Sequence, residues 1–311
     1  MPYRQAVQAT ILFRWGRGLA IGVPVNDIRN IVILTGAGIS AESGLATFRG
    51  PDGLWEGHRV EDVCTPQALA RDPVMVHRFY DARRAALATV KPNPAHVALA
   101  RLDAEWPGEL LIVTQNVDDL HERAGAKRLL HMHGELLSGL CAVCGERQRW
   151  EGPMLLPERH PSPSTACKAG AQDKLQPKAE GWGPSLSQQT MSQQDRDIDP
   201  SPRWGDGEEF VAPACPHCGA AAIRPDIVFF GEMPYQMDVI DKAIRRADLF
   251  ASIGTSGAVY PAAGFVRTAR HCGAETIELN LDPSEGSIFF HESRLGRASE
   301  LVPAWVDEVL A

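Results

Sequence analysis

Five short apolar runs constrain this chain more than any other feature: Asn30–Leu34, Leu110–Val113, Ile227–Phe230, Leu249–Ile253 and Thr276–Leu279. They are rich in Ile, Val, Leu or Phe and lack polar alternation. A strand with one face in water alternates, whereas a run without alternation is buried on both faces, as in a parallel sheet covered by helices. Helical patterns lie between the runs. Asp72-Pro73 pairs an N-cap residue with proline at the first helical position and predicts a helix to about Ala88. Asn93-Pro94 opens another, with Ala95, Val97, Ala98, Leu99 and Leu102 spaced for one buried face. Two more are expected near Met237–Ala247 and Pro261–His271. Strands alternating with helices predict an α/β fold, a Rossmann-like doubly wound parallel sheet.

Ligands of such sheets bind outside the carboxyl ends of the strands. Here those ends read Gly36-Ala37-Gly38, Gln115-Asn116-Val117-Asp118, Gly231-Glu232, Gly254-Thr255-Ser256 and Asn280-Leu281-Asp282. Gly36 to Ala41 matches G-x-G-x-x-G/A. In that motif the first glycine permits a tight turn and the second lets the backbone approach a pyrophosphate. A hydride-transfer enzyme would carry an acidic second strand about 20 residues on. Thr47 to Trp55 instead reads as a loop around Gly50-Pro51-Asp52-Gly53, which argues against a dehydrogenase and leaves Asn280 for the ribose hydroxyls. Gln115, Asn116 and Asp118 can hydrogen-bond a ribose and a carboxamide, or Asp118 can simply cap a helix. His133, beside Gly134, can sit at a site and titrate near neutrality, or be structural.

Two C-x-x-C pairs, Cys141/Cys144 and Cys215/Cys218, are each followed by glycine. Four thiolates make a closed tetrahedral shell, so one structural Zn²⁺ is expected and not a catalytic one. Roughly seventy residues separate the pairs, a length tolerated because loop-closure cost grows slowly. Within that span, about 152–212 is rich in Pro, Ser, Gln and Gly and reads as a disordered insertion.

Of the 311 residues, 44% are hydrophobic and 23% charged, a globular balance, and the net charge of −8 gives no broad cationic surface for nucleic acid or anionic lipid. No apolar run approaches the roughly 20 residues of a membrane helix. Neither nucleic acid nor membrane is expected as a partner. The first 26 residues carry Arg4, Arg14 and Arg17 and no acid; they read as a poorly ordered extension, or alternatively as a mitochondrial targeting segment. The expected location is cytoplasmic, with mitochondrial as the alternative.

Taken in order, Gly36-Ala-Gly-Ile-Ser40, Thr47-Phe-Arg49, Thr114-Gln-Asn-Val-Asp118, His131-Met-His-Gly134, the two C-x-x-C pairs, Phe230-Gly-Glu232, Gly254-Thr-Ser256 and Asn280-Leu-Asp282 resemble the sirtuins, most of all the bacterial class III type. The resemblance runs from about Asn30 to the C-terminus except for the insertion. It implies a catalytic domain over 27–311, with a zinc module at about 134–222. It implies NAD-dependent removal of succinyl, malonyl and acetyl groups from the lysines of acylated proteins, with NAD consumed and nicotinamide, O-acyl-ADP-ribose and free lysine released. His133 would be the general base. Gly36, Ala37, Gly38, Ser40, Glu42, Thr47, Phe48, Arg49, Trp55, Gln115, Asn116, Asp118, Gly254, Thr255, Ser256, Asn280, Asp282 and Ala298 would hold the cofactor, Phe48 shielding the reactive ribose carbon. Val228 to Phe230 would pair with the substrate peptide as an added strand. Tyr80 and Arg83 share a helix face at i and i+3 and resemble the pair that receives a dicarboxylic acyl group; otherwise Arg83 is a solvated helix face and Tyr80 core. The alternative functions are a mono-ADP-ribosyltransferase using the same NAD site and a non-catalytic zinc-ribbon module.

Overall fold

The structure, a computed structural model, describes residues 27–46, 58–155 and 212–311. Expectations placed on 1–26, on Thr47, Phe48, Arg49 and Trp55, and on 156–211 lie outside these residues.

Four of the five apolar runs form the expected strands. They are β1 (Asn30–Thr35), β2 (Glu109–Thr114), β7 (Leu249–Ile253) and β8 (Glu275–Asn280). With the short β3 (Leu129–His131) and β9 (Glu292–Leu295) they make one six-stranded, all-parallel sheet of order β3-β2-β1-β7-β8-β9. Alternation along β1 explains why the run is uniformly apolar. Ile31 and Ile33 join a core that includes α5 (Pro94–Glu105) and α9 (Ala298–Leu310), whereas Val32 and Leu34 join one that includes α7 (Met237–Arg245) and α8 (Phe265–His271). The order runs outward on both sides of β1, so β1 and β7 flank the switch point where a crevice must open.

The fifth run departs from expectation. The strand is β6, Ile223–Ile227, and it belongs to a separate antiparallel sheet of order β5-β4-β6, with β4 at Gly134–Cys141 and β5 at Arg147–Arg149. Val228, Phe229 and Phe230 leave that strand toward the crevice. Phe229 is buried in a third core with Tyr80, Leu136 and Ile227, which is why the run reads as apolar without being part of the parallel sheet.

The helix starts follow the capping residues. The Asp72 carboxylate accepts from Met75 N at 2.8 Å at the head of α4 (Pro73–Leu87), and Asn93 closes a capping box with His96 at the head of α5. Helix α4 carries Tyr80, Arg83 and Arg84 along its length. Buried Arg84 pairs with Asp81, and its Nε donates to the Leu136 carbonyl at 3.0 Å. Asp81 also accepts from Met154 N at 2.9 Å and Leu155 N at 2.9 Å, tying the small sheet's outgoing chain to α4. The expected helix at Pro261–His271 begins as a 3-10 turn, Ala262–Gly264, and becomes α-helical only at Phe265.

Candidate active site

Just beyond the β1 and β7 ends, glycines let the two loops touch. Gly36 N donates to Ile253 O at 3.0 Å and Gly38 N to Gly254 O at 2.8 Å. A Cβ on Gly36 would lie 2.8 Å from Gly254 O, and one on Gly38 2.7 Å from Gly254 Cα. Gly254 itself has φ +63°, and a Cβ there would stand 2.4 Å from Ile39 N. The glycines are therefore required by two loops crossing each other, a reason the sequence motif does not reveal. The four-residue helix that follows, α1 (Gly38–Ala41), has no side-chain cap.

Over this crossing opens a cavity of about 550 Å³, within the range of small-molecule sites. Of the expected cofactor residues, Gly36, Ala37, Gly38, Ser40, Gln115, Asn116, Asp118, Gly254, Thr255, Ser256, Asn280 and Asp282 line it, as do His133, Arg83, Val228 and Phe230. Glu42 and Ala298 do not. The Glu42 carboxylate instead receives Ser299 N at 2.9 Å and Ser299 Oγ at 2.8 Å, joining α1 to the start of α9, and Ala298 packs against the first core. Both are placed by helix packing, which motif order cannot distinguish from ligand contact.

Polar side chains in the floor are already cross-linked. Ser40 Oγ donates to Asp118 Oδ2 at 3.0 Å and accepts from Asn116 Nδ2 at 3.1 Å. Asp118 Oδ1 also accepts from Leu120 N at 3.2 Å, so its capping role and its place in the cavity wall coexist at the start of α6 (Leu120–Ala124). Burial raises the Asp118 pKa, against the hydrogen bonds that lower it. Behind them His96 Nε2 lies 3.4 Å from Ser40 Oγ, and burial brings His96 down to about 4, so it stays neutral. Across the cavity Asn280 Nδ2 donates to Thr255 O at 2.7 Å, tying the β7 and β8 ends together.

His133 precedes β4 at the junction of the two sheets. Its Nδ1 lies 3.2 Å from the Gln115 carbonyl oxygen, an acceptor only, so Nδ1 carries the proton and Nε2 is left as a lone-pair base. Burial pushes its pKa below the usual histidine value, opposed by the Gln115 carbonyl, so the ring is neutral at pH 7. The His133 carbonyl accepts from Val228 N at 2.9 Å.

Of the expected substrate-side residues, Arg83, Val228 and Phe230 line the cavity and Tyr80 does not. Tyr80 is fully buried and does not line the cavity; its hydroxyl donates to Cys64 Sγ at 3.3 Å, and Cys64 is the wall residue. Only Arg83 of the expected pair lines it, with its guanidinium 5.4 Å from the Phe79 ring centroid. Past the end of β6, the N–H groups of Val228, Phe229 and Phe230 donate to His133 O at 2.9 Å, Glu232 Oε2 at 2.8 Å and Cys64 O at 3.0 Å. A peptide added here would draw on the carbonyls of this stretch. Cys64 lies in no sequence motif, whereas Glu232 closes the motif Phe230-Gly-Glu232, and both line the wall. Glu232 is held in turn by Arg224 at 2.9 Å.

In the small sheet the four cysteine sulfurs lie within 4.8 Å of one another, Cys141–Cys218 at 3.7 Å and Cys144–Cys215 at 3.8 Å. A tetrahedron with Zn–S of about 2.3 Å has edges of about 3.8 Å. The donor set thus fits one Zn²⁺, and it is the only such cluster among the described residues. It sits over Met154, Ile223 and Trp150 and contributes nothing to the cavity lining.

A doubly wound parallel sheet, a glycine crossing at its switch point and a separate four-thiolate lobe define a nucleotide-binding α/β protein with a structural metal. The Sir2 family profile matches residues 36–261, and the chain belongs to that family. The NAD-dependent protein deacylase SIR2rp3 of Trypanosoma brucei brucei is 46% identical, over 90% of this chain and 94% of its own length. The NAD-dependent protein deacylase of Vibrio cholerae is 46% identical, over 91% and 94%. Among solved structures, a Sir2 homologue–NAD complex superposes with TM-score 0.69 at 32% identity, covering 92% of this chain and 93% of that one. A Sir2–p53 peptide–NAD⁺ complex gives TM-score 0.64 at 26% identity, over 91% and 95%.

Proposed function

We propose that this chain removes acyl groups from protein lysines in a reaction that consumes NAD, acting on succinyl- and malonyl-lysine as well as acetyl-lysine. The observation that carries the reading is the state of His133: half-buried, neutral, fixed through Nδ1 to the Gln115 carbonyl, with Nε2 free at a nucleotide-sized cavity. The names of the relatives support NAD and protein substrates. The glycine crossing, Gln115, Asn116, Asp118, Ser256 and Asn280 fit NAD, their backbone and amide groups supplying donors and acceptors around one cavity.

When bound, NAD supplies an electrophilic ribose carbon and a vicinal ribose hydroxyl. The chain's part is to orient and to move one proton. Neutral His133 accepts the hydroxyl proton at Nε2, and the Gln115 carbonyl stabilises the imidazolium so formed through Nδ1–H. Asp118 and Asn116, fixed by Ser40, hold the adjoining wall. Zn²⁺ on Cys141, Cys144, Cys215 and Cys218 holds the small sheet and stays outside the chemistry.

Acyl preference rests on Arg83. Its planar guanidinium in the cavity wall matches a carboxylate, while Tyr80 stands behind that wall, against Cys64 and the Phe229 ring. A charge-assisted hydrogen bond contributes roughly 1.5–3 kcal/mol. Arg83→Met is therefore expected to cost about 10- to 100-fold in kcat/KM on succinyl-lysine peptide and to leave acetyl-lysine nearly unchanged. Mass spectrometry of the products from NAD and each peptide tests the whole reading. O-acyl-ADP-ribose is the expected product, whereas ADP-ribosylated protein would make the chain a transferase. Equal losses on both peptides would make Arg83 structural.

A further inference from the structure

The histidine two residues before His133 ends β3, and the reaction as described gives it no part. Its ring is almost buried, with the side chain 8% exposed. Nδ1 lies 2.9 Å from the Asn116 carbonyl oxygen and Nε2 lies 2.7 Å from Glu122 Oε1. A carbonyl and a carboxylate are both acceptors, so both ring nitrogens are satisfied at once only if both carry protons. The neighbouring carbonyl, that of Gln115, is the one that receives His133 Nδ1. Successive carbonyls of one cofactor-side turn are thus each held by one histidine of His131-Met132-His133. Met132 between them is fully buried and donates its N–H to Thr114 O at 3.0 Å.

We propose that His131 is a positioning residue that works as an imidazolium: clamped between Glu122 and the Asn116 carbonyl, it fixes the Gln115–Asn116 turn that orients His133 and lines the NAD cavity. This rests on the proposed NAD-dependent reaction. Asn116 is the lever, because its side chain reaches Ser40 at 3.1 Å and its N–H reaches Thr114 Oγ1 at 3.0 Å, so rotation of its peptide disturbs the cavity floor.

The charges around the ring favour the cation. Burial disfavours it, but Glu122, the Asn116 carbonyl and Glu135 together raise its pKa above the ordinary histidine value. Asp118, from the start of α6, adds a further anionic partner. His121, on α6, would oppose it if protonated, but burial holds His121 well below the ordinary value and it is neutral. The clamp is therefore intact below the raised pKa of His131 and is lost as pH rises through it. The His133 base works in the other direction, since it is lost as pH falls through its lowered pKa.

The test uses the full-length, zinc-loaded protein. Imidazole ¹⁵N shifts of His131 at pH 7, without NAD, are expected to show both nitrogens protonated, with Glu122→Gln moving that titration to lower pH. Calorimetry with NAD is expected to show about 3- to 20-fold weaker binding for His131→Gln at neutral pH. It is also expected to show affinity in the wild type that falls with rising pH, and a fall that begins earlier in Glu122→Gln. In turnover, His131→Gln is expected to lose the alkaline limb of the kcat/KM profile for NAD and keep the acid limb set by His133. A neutral His131 ring at pH 7, or a Glu122→Gln protein whose ring titration and NAD affinity superpose on wild type, overturns the proposal. Glu122 is 42% exposed, so its substitution reads the clamp without a packing defect even if His131→Gln misfolds. Absence of deacylation by the wild type would instead sink the proposed function, and the ring titration would still decide the state of His131.

Discussion

At the residue scale, what a polar group of the site can do is set by which of its atoms are already committed. His133 shows this most directly, since its tautomer is set by a carbonyl it cannot deprotonate. His133→Ala is expected to retain the fold and lose about 10²- to 10⁴-fold in deacylation, measured as nicotinamide release. Wild-type turnover in that variant would remove His133 from the base role. Because burial lowers its pKa, activity is expected to persist below pH 6.5 and to fall only as pH drops through that lowered value, read from a kcat/KM profile on acetyl-lysine peptide. His96 and His121 behave oppositely in purpose: both are buried and neutral, and their rings pack edge-to-face at 4.9 Å behind the cavity floor. A histidine beside a motif is thus base, clamp or filler according to the atoms opposite its two nitrogens, which no sequence pattern records.

At the element scale, β1 and β7 fix the site through their glycine ends. Gly254→Ala forces a side chain into a left-handed backbone conformation and to within 2.4 Å of Ile39 N. It is expected to destabilise well beyond the roughly 1 kcal/mol of losing one helix cap, as in Asp72→Ala, and to lower NAD affinity as the two loops part. Paired thermal melts and NAD titrations of both variants check the ranking; equal melting losses would show that the crossing has slack. The strands at the sheet's centre were legible because both faces are buried, and the starts of α4 and α5 because Asp72 and Asn93 announce them. Two elements that the sequence does not announce, α9 and β9, carry conflicting signals. In α9, Val302, Trp305, Val306 and Val309 have helical spacing, but Pro303 sits among them. Edge strand β9 is Glu292-Ser-Arg-Leu295, whose Arg294 pairs with Glu292 and Glu308, so it reads as surface. The cavity lining was largely legible as motifs, yet Cys64, which stands between Tyr80 and the cavity, lies in no motif and is placed there by tertiary packing alone.

At the scale of the whole molecule, the small lobe depends on its metal. Among the described residues its core holds four buried apolar residues, two of them the cysteines Cys141 and Cys215, so the thiolates are much of what closes that part. Cys218→Ser, or a strong chelator, is expected to release Zn²⁺ and lower the melting temperature, with loss of activity following because His133 stands at the head of β4. Metal analysis finding no zinc in active protein would refute this. The large sheet depends instead on order of arrival. Strand β1 takes β2 on one edge and β7 on the other, and Asp248, just before β7, receives the N–H groups of Arg29 and Asn30 from across 219 and 218 residues of chain. A chain growing from the ribosome therefore carries β1 with one edge open from the time β2 emerges until β7 does. At about 5–20 residues per second that interval is on the order of ten seconds. For that time an apolar edge is available to any other nascent strand, so shielding this edge during synthesis is expected to raise the yield of folded protein.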